Sequence, residues 1–102
     1  MNTTSTLPLG QIAMTSRVAA IKKRNALFST FVEKSLHRHN YKDWGDANHH
    51  DKECNDLALT TGGRIISVYK APFYIANSDE SSIWIITEAD RSYTTILFPS
   101  DY

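Results

Sequence analysis

The chain has 102 residues, 41% hydrophobic and 22% charged, with eleven basic residues balancing eleven acidic ones. This composition excludes a disordered chain, and the length allows one core. No apolar run approaches the roughly 20 residues that cross a bilayer, and the first residues lack the basic and apolar parts of a secretory signal. With a single cysteine, no intramolecular disulfide can form, so we expect a cytoplasmic protein.

The N-terminal segment is polar and small up to Pro8. We predict that residues 1–8 form a flexible N-terminus and that residues 9–102 form a single α+β domain. Within that domain, the pattern of residues 9–14 is compatible with a short strand that places Ile12 and Met14 on one face.

Two helices are predicted next. Thr15 or Ser16 is a suitable N-cap for a first helix that ends near Arg24. Asn25 is a suitable N-cap for a second helix, which ends near Arg38. Its apolar residues recur with the one-face spacing of an amphipathic helix: Leu27, Phe28, Phe31, Val32 and Leu36.

A third helix is predicted to begin near Asn48, because an Asn cap is followed three residues later by Asp51. Thr61-Gly62-Gly63 should end it, since glycine adopts the left-handed conformation of a helix C-terminus without steric cost. Its expected buried stripe is Cys54, Leu57 and Ala58.

Three segments rich in β-branched and aromatic residues follow, at 64–69, 83–87 and 93–98. The linker 88–92 is short enough for a hairpin, and residues 73–76 are a candidate for an additional hairpin arm. We therefore predict an α+β fold: an antiparallel β-meander of three to four strands, with two or three N-terminal helices packed on one face.

Charge is sorted along the chain. Residues 1–42 contain seven basic residues and one acidic residue, a net charge of +6, and residues 43–102 contain four basic and ten acidic residues, a net charge of −6. If the two segments form different faces, the molecule is an electrostatic dipole that can steer a charged partner.

Several motifs are distinctive as a set: Asp43-Trp44-Gly45-Asp46, then Asn55 and Leu59, then Gly62-Gly63-Arg64, Ile83-Trp84-Ile85-Ile86-Thr87-Glu88-Ala89-Asp90-Arg91-Ser92, Thr94-Thr95-Ile96-Leu97-Phe98-Pro99 and the terminal Asp101-Tyr102. With these motifs the chain resembles a family of short bacterial proteins that tend to occur on plasmids and other mobile elements. Members carry labels such as "plasmid-related protein" or "type I restriction subunit M". The resemblance covers roughly residues 9–102 and is most specific in the last twenty.

The resemblance implies a mobile-DNA context rather than a particular reaction, because the family brings no established catalytic residues. The chain departs from the family pattern between Lys70 and Ser82, where its hairpin is longer, and at His49-His50. A partner contact made through these segments would be peculiar to this member.

The soft metal ligands in the sequence are His37, His39, His49, His50 and Cys54. Their spacing matches no recognised zinc finger or ribbon, which favours solvated histidines beside a buried thiol. His50 lies one helical turn from Cys54 and could act as its base, but the expected burial of Cys54 favours an inert core thiol. We predict no metal and no cofactor.

The carboxylates Asp43, Asp46, Glu88 and Asp90 admit a catalytic interpretation, either as an acid/base set or as a magnesium site. Turn formation and hairpin-loop pairing account for them more simply. The two tryptophans and Tyr69, Tyr74, Tyr93 and Tyr102 are expected in the core or its rim, whereas aromatic residues exposed on an edge strand would indicate an interface, including a homodimer.

Our leading hypothesis is a non-enzymatic binding protein of a mobile element, a monomer or homodimer with no membrane contact. Its partner would be a protein, such as a CRISPR or restriction nuclease complex whose positively charged nucleic-acid channel an acidic surface could occupy. The acidic candidates for this contact are Asp43, Asp46, Asp51, Glu53, Asp79, Glu80, Glu88 and Asp90.

Two alternatives remain open. The first is a nucleic-acid-binding accessory protein that uses the basic segment 17–42. Its candidate residues are Lys22, Lys23, Arg24, Lys34, Arg38 and Lys42. The second is a small metal-dependent enzyme.

Overall fold

The computed structural model of the chain describes residues 5–75 and 78–102. Its helices are α1 (Ser16–Arg24), α2 (Ala26–Asn40) and α3 (His49–Thr61). Its strands are β1 (Gln11–Met14), β2 (Ile65–Lys70), β3 (Ser82–Thr87) and β4 (Tyr93–Leu97), and a short 3-10 helix spans Pro99–Asp101. The predicted α+β class, with helices before the three main strands, is confirmed.

Local sequence signals set the helix ends. The side chains of Thr15, Asn25 and Asn48 each accept a hydrogen bond from the backbone N–H three residues further on, which caps the three helices as predicted. Gly62 ends α3 in the left-handed conformation, with φ of 81°, and its N–H bonds the carbonyl of Ala58.

The four strands lie in the order β1-β4-β3-β2. The strands β2, β3 and β4 form the predicted antiparallel meander, but β1 pairs with β4 in parallel, so the expectation of a wholly antiparallel sheet is wrong. The helices separate β1 from β4 in the sequence, and a long crossover connection is what parallel neighbours require.

The fourth strand is residues 11–14 and not the candidate arm at 73–76. Residues 73–75 form no strand, and Ala76 lies outside the described residues. Packing explains this result, because the ring of Phe73 meets Phe31 of α2 edge-on at 5.6 Å and Ile75 is buried in the core.

The main core lies between the helix pair α1–α2 and one face of the sheet. Val18 and Ile21 of α1 and Phe28 and Val32 of α2 meet the sheet there. The sheet side chains in this core are Tyr69, Ile83, Ile85 and Ile96, joined by Phe98.

The inner stripe of α2 differs from the predicted one. Phe28, Val32, Ser35 and His39 are buried, whereas 60% of Leu27 is exposed. These four residues are four, three and four positions apart, so they lie on one side of the helix, and that side faces the sheet. Two of them, Ser35 and His39, are polar and are buried because of their position. The prediction from apolar residues alone was therefore wrong for Leu27, which is exposed, and missed Ser35 and His39, which are buried.

A second, smaller core joins Leu7, Trp44, Ala47, Ala58 and Ile65. Leu7 belongs to the segment that was predicted to be a flexible N-terminus, yet it is only 2% exposed, and its N–H bonds the carbonyl of Asn40 at 2.8 Å. Ordered packing therefore starts before residue 9. Residues 1–4 of that segment lie outside the described residues.

Helix α3 lies beside β2 and not over the sheet, which changes its buried side. Asn55 and Ala58 are buried, while Cys54 and Leu57 are exposed. The predicted buried thiol is therefore wrong. The helix packs only against the edge of a strand, so a narrow contact surface made of the polar Asn55 and the small Ala58 is enough to hold it there.

The outer edge of β2 is closed by this arrangement. The side-chain amide of Asn55 donates to the carbonyl of Ile66 at 2.8 Å and accepts from the N–H of Ile66 at 3.1 Å. Further along the edge, the N–H of Val68 bonds the carbonyl of Trp44, and the carbonyl of Val68 accepts from the N–H of Asp46. These contacts occupy backbone groups that would otherwise pair with another chain.

Candidate functional site

The second face of the sheet is defined by the strand register. Ile66 lies opposite Ile86 and Val68 opposite Trp84, and β4 continues these rows. We call this surface the open face, because α1 and α2 pack on the other side and, in the described part of the chain, α3 only borders it. The open face consists of Ile66, Val68, Trp84, Ile86, Thr95 and Leu97. Ile86 and Leu97 are only 3% and 5% exposed and the other four are half-buried, so solvent reaches this face mainly around Trp84.

A groove of about 230 Å³ runs between α3 and the open face. Asp51 and Cys54 of α3 line one side, and Trp84 of β3 lines the other. Arg64, just before β2, also lines the groove. The groove therefore combines apolar surface with both signs of charge.

Tyr102 lies against the open face and builds an aromatic and basic cluster there. Its ring centre is 5.6 Å from that of Trp84, and its hydroxyl accepts a 2.9 Å hydrogen bond from Nη1 of Arg64. Nε of Arg64 lies 3.6 Å from a carboxylate oxygen of Glu88. The exposed fraction of Tyr102 is 67%, so the cluster faces solvent.

No family model, curated protein or solved structure matches this chain. The resemblance to short plasmid proteins therefore stays a prediction. In residues 5–75 and 78–102, no helix is both long and apolar enough to span a bilayer.

Two of the predicted acidic residues are built into the fold. Asp43 accepts two hydrogen bonds from Arg38, at 2.7 and 3.2 Å, and these bonds hold the pKa of Asp43 below its ordinary value. Asp46 accepts the N–H of Lys70 at 2.8 Å. Both carboxylates support the 43–46 turn, in agreement with the simpler interpretation of these residues.

Three further acidic candidates also have internal partners. Glu80 pairs with Arg17, Glu88 pairs with Arg64, and Asp90 accepts both the N–H and the hydroxyl of Ser92 within the hairpin turn. Glu88 and Asp90 lie at the end of the sheet where β3 turns into β4. Glu88 reaches the edge of the open face, because its partner Arg64 lines the groove there.

The remaining acidic candidates are exposed. Asp51 and Glu53 lie on α3, and Asp79 lies in the loop before β3. Asp51 lines the groove, so Asp51 and Glu88 are the two acidic candidates that the structure places at the open face. The eight predicted residues do not form one continuous acidic patch.

The basic candidates lie on α1, α2 and the turn after α2. Lys22 pairs with Glu33 at 2.9 Å, Arg38 pairs with Asp43, and Nζ of Lys42 donates to the hydroxyl of Ser5. The other three, Lys23, Arg24 and Lys34, are exposed and form no ion pair with any described residue.

Ion pairs link the two charge segments. Arg17 of the basic segment pairs with Asp101 at 2.9 Å, and Arg38 pairs with Asp43 at 2.7 Å. These contacts join the two segments at both ends of the helix pair. The dipole expected from the sequence is therefore partly neutralised.

The five soft metal ligands do not converge. His37, His49 and His50 are exposed, and His50 Nε2 lies 3.6 Å from the sulfur of Cys54. Within the described residues, no three His, Cys, Asp or Glu side chains are arranged to hold a metal ion. The expectation of solvated histidines fails for His39, which is 0% exposed.

His39 is part of a chain of hydrogen bonds that crosses the sheet. The hydroxyl of Thr94 donates to the carbonyl of Leu9 at 2.7 Å, so its oxygen accepts from Thr87, also at 2.7 Å. Thr87 must then accept from Nε2 of His39 at 2.8 Å, and Nδ1 accepts from Ser67 at 2.6 Å. This order assigns the neutral Nε2–H tautomer to His39.

Burial lowers the pKa of His39 from 6.5 to about 4, which agrees with a neutral ring. The ring is shielded by Trp44, whose centroid is 5.9 Å away. Because solvent does not reach this Ser–His pair, its chemistry is structural. The sequence contains one signal for the burial of His39: it lies seven residues after Val32, and therefore on the same side of the helix. Histidine is polar and often exposed, so this spacing alone did not predict burial.

Proposed function

We propose that this chain is a small, non-enzymatic, cytoplasmic binding protein that contacts a protein partner through the open face. The observation that carries the proposal is the cluster of Trp84, Tyr102 and Arg64 on the sheet face opposite α1 and α2. Tryptophan, tyrosine and arginine are the residues that most often dominate protein–protein binding energy.

The surroundings of this cluster suit a protein interface. Apolar Ile66 and Val68 lie beside Trp84, and Asp51 and Glu88 provide charge at the rim. An apolar and aromatic centre with a polar rim is the usual anatomy of such a contact. The acidic rim favours a partner whose binding surface carries positive charge.

A mobile-element context and a host-defence partner complete the proposal. Their support is the family resemblance, together with the acidic residues at the rim. A restriction or CRISPR nuclease complex has a positively charged channel for nucleic acid, and a small protein seated on it would block DNA. In this proposal the exposed carboxylate of Asp51 takes the place of a phosphate, and Glu88 holds Arg64 in position.

A plasmid-transformation assay tests this proposal. The chain is expressed in bacteria that carry a restriction or CRISPR system, and we expect it to raise the efficiency with which a targeted plasmid is established. Tyr102→Ala should weaken partner binding by about 10- to 30-fold and remove this protection. Tyr74→Ala is the matched control, because Tyr74 is 77% exposed and lies outside the open face.

Direct nucleic-acid binding is the second candidate, favoured by the three exposed basic residues that form no ion pair within residues 5–75 and 78–102. A gel-shift titration separates the two functions. Salt-sensitive binding that disappears when Lys23, Arg24 and Lys34 are changed to Glu, with Tyr102→Ala unchanged, would replace the protein-partner proposal. No observation on the described residues favours the metal-dependent enzyme.

A further inference from the structure

Strand β1 forms the second edge of the sheet. The N–H of Gln11 bonds the carbonyl of Ser92, and the N–H of Thr15 bonds that of Ile96, both at 3.1 Å. In a parallel ladder, alternate residues direct both backbone groups to the same neighbour. Ile12 and Met14 therefore point their N–H and C=O groups away from β4, and 44% of Ile12 is exposed.

The two edge strands of the sheet differ in whether their outward backbone groups have hydrogen-bond partners. The β2 edge is occupied by Asn55 and the 44–46 segment, whereas within the described residues nothing comparable covers β1. Proteins usually guard an edge with a charge, a proline or a bulge. The sequence Gln11-Ile12-Ala13-Met14 has no charge and no proline, and its pairing with β4 is continuous.

A groove of about 310 Å³ leads from the start of β1 along α2. Leu9 lines one end, and Glu33, Leu36, His37 and Asn40 line the α2 side. A strand added beside β1 would therefore meet Leu9 and Leu36, together with polar side chains of α2, on its helix-facing side.

We propose that β1 pairs with β1 of a second copy of this chain, antiparallel and about a two-fold axis. A self-pairing strand suits this edge, because residues 9–14 carry no charge and bring no like charges together. The inference does not depend on the proposed function.

The register follows from which residues face outward. With Ala13 opposite Ala13 of the second copy, Ile12 pairs with Met14 twice, which forms four hydrogen bonds. Pairing Ile12 with itself would require Gly10 to extend the strand, but Gly10 has φ of 63°. Pairing Met14 with itself would require Ser16, which already belongs to α1.

The resulting dimer has one continuous eight-stranded sheet with both open faces on the same side. Four-residue strands bury less surface than the roughly 1,200 Å² at the low end of stable complexes. We therefore expect a weak, reversible dimer, with a dissociation constant of about 10 µM to 1 mM.

Sedimentation velocity of the full chain, with amide hydrogen exchange, tests the pairing. From about 1 µM to 1 mM, the mass should shift from 11.5 kDa towards twice that value. Exchange at the amides of Ile12 and Met14 should slow in parallel. Ile12→Pro removes an outward N–H and spares the β4 ladder, so it should be monomeric with an unchanged circular dichroism spectrum, and Ile12→Val should behave like wild type.

Crosslinking tests the register in a Cys54→Ser background. Ala13→Cys should form a disulfide-linked dimer on oxidation, because this pair is non-hydrogen-bonded and its Cα atoms are close. Gln11→Cys should not, since its mate in the second copy is Thr15. A chain that stays monomeric to about 1 mM, a dimer that survives Ile12→Pro, or protection of Ile12 and Met14 only by another protein would each overturn the proposal.

Discussion

His39 of α2 donates a 2.8 Å hydrogen bond to Thr87 of β3 at a position that solvent does not reach. The bond joins the helix layer to the sheet within a core that is otherwise mainly apolar. Because Ser67 and Thr94 complete the chain, each polar atom in it has a partner. A fully satisfied network of buried hydrogen bonds stabilises the one alignment of the helix on the sheet in which all of its bonds form.

Replacing His39 tests this link. His39→Ala leaves Ser67 and Thr87 without their partner and opens a cavity, so we expect it to destabilise the fold by about 2 to 4 kcal/mol. His37→Ala, an exposed change two residues earlier on α2, should alter the free energy of unfolding by less than about 0.5 kcal/mol. Urea denaturation measures both, and equal effects would contradict the network's role.

The lowered pKa of His39 predicts a pH dependence of stability. The unfolded state takes up the proton near pH 6.5 and the folded state only near 4, so stability is full above 6.5 and falls as the pH drops between these values. The loss should approach about 3 kcal/mol. His39→Gln lacks the titrating group, so its deficit relative to wild type should shrink between pH 7 and 4.5. A deficit independent of pH would contradict the buried neutral ring.

Asn55 should protect the β2 edge. Asn55→Ala removes both hydrogen bonds to the backbone of Ile66, and we expect a loss of about 1 to 3 kcal/mol together with faster amide exchange at Ile66. Glu53→Ala is the matched control on the exposed side of α3. Unchanged exchange at Ile66 in Asn55→Ala would show that the edge is protected by something else.

Two glycines with positive φ should respond differently to a methyl group. At Gly45, with φ of 68°, a Cβ would lie 2.2 Å from the carbonyl oxygen of Val68, so Gly45→Ala should be severely destabilising, by about 3 kcal/mol or more. At Gly62 the space is open and only the left-handed conformation is penalised, by about 1 to 2 kcal/mol. Denaturation midpoints that rank the two variants in the opposite order would contradict the close approach of the 43–46 turn to β2.

Local signals predicted much of the fold. The caps at Thr15, Asn25 and Asn48 and the three β-rich segments were read from short-range chemistry, which does not depend on the rest of the chain. The parallel placement of β1 was not predicted, because a four-residue strand has no signal for its partner's direction. The same limit applies to Asn55, whose role depends on a strand edge that only the tertiary fold creates.

The candidate site was predicted less well. Net charge along the chain indicated an acidic surface, yet Asp43 and Asp46 serve the 43–46 turn, and Arg38 crosses the supposed boundary. The open face was not predicted, although Trp84 and Ile86 alternate with Ile83 and Ile85 on a strand that is apolar on both sides. Tyr102 was missed as part of a binding surface, because its contact with Trp84 depends on the path of the chain after β4.

The most direct test of the open face is site-specific photo-crosslinking in bacteria that carry the targeted defence system. A photoreactive aromatic amino acid replaces Trp84 in one variant and Tyr74 in another, and the adducts are identified by mass spectrometry. We predict that position 84 crosslinks to a nuclease-complex subunit and that position 74 does not. Adducts at position 84 with nucleic acid alone, or equal labelling from both positions, would contradict a protein contact through the open face.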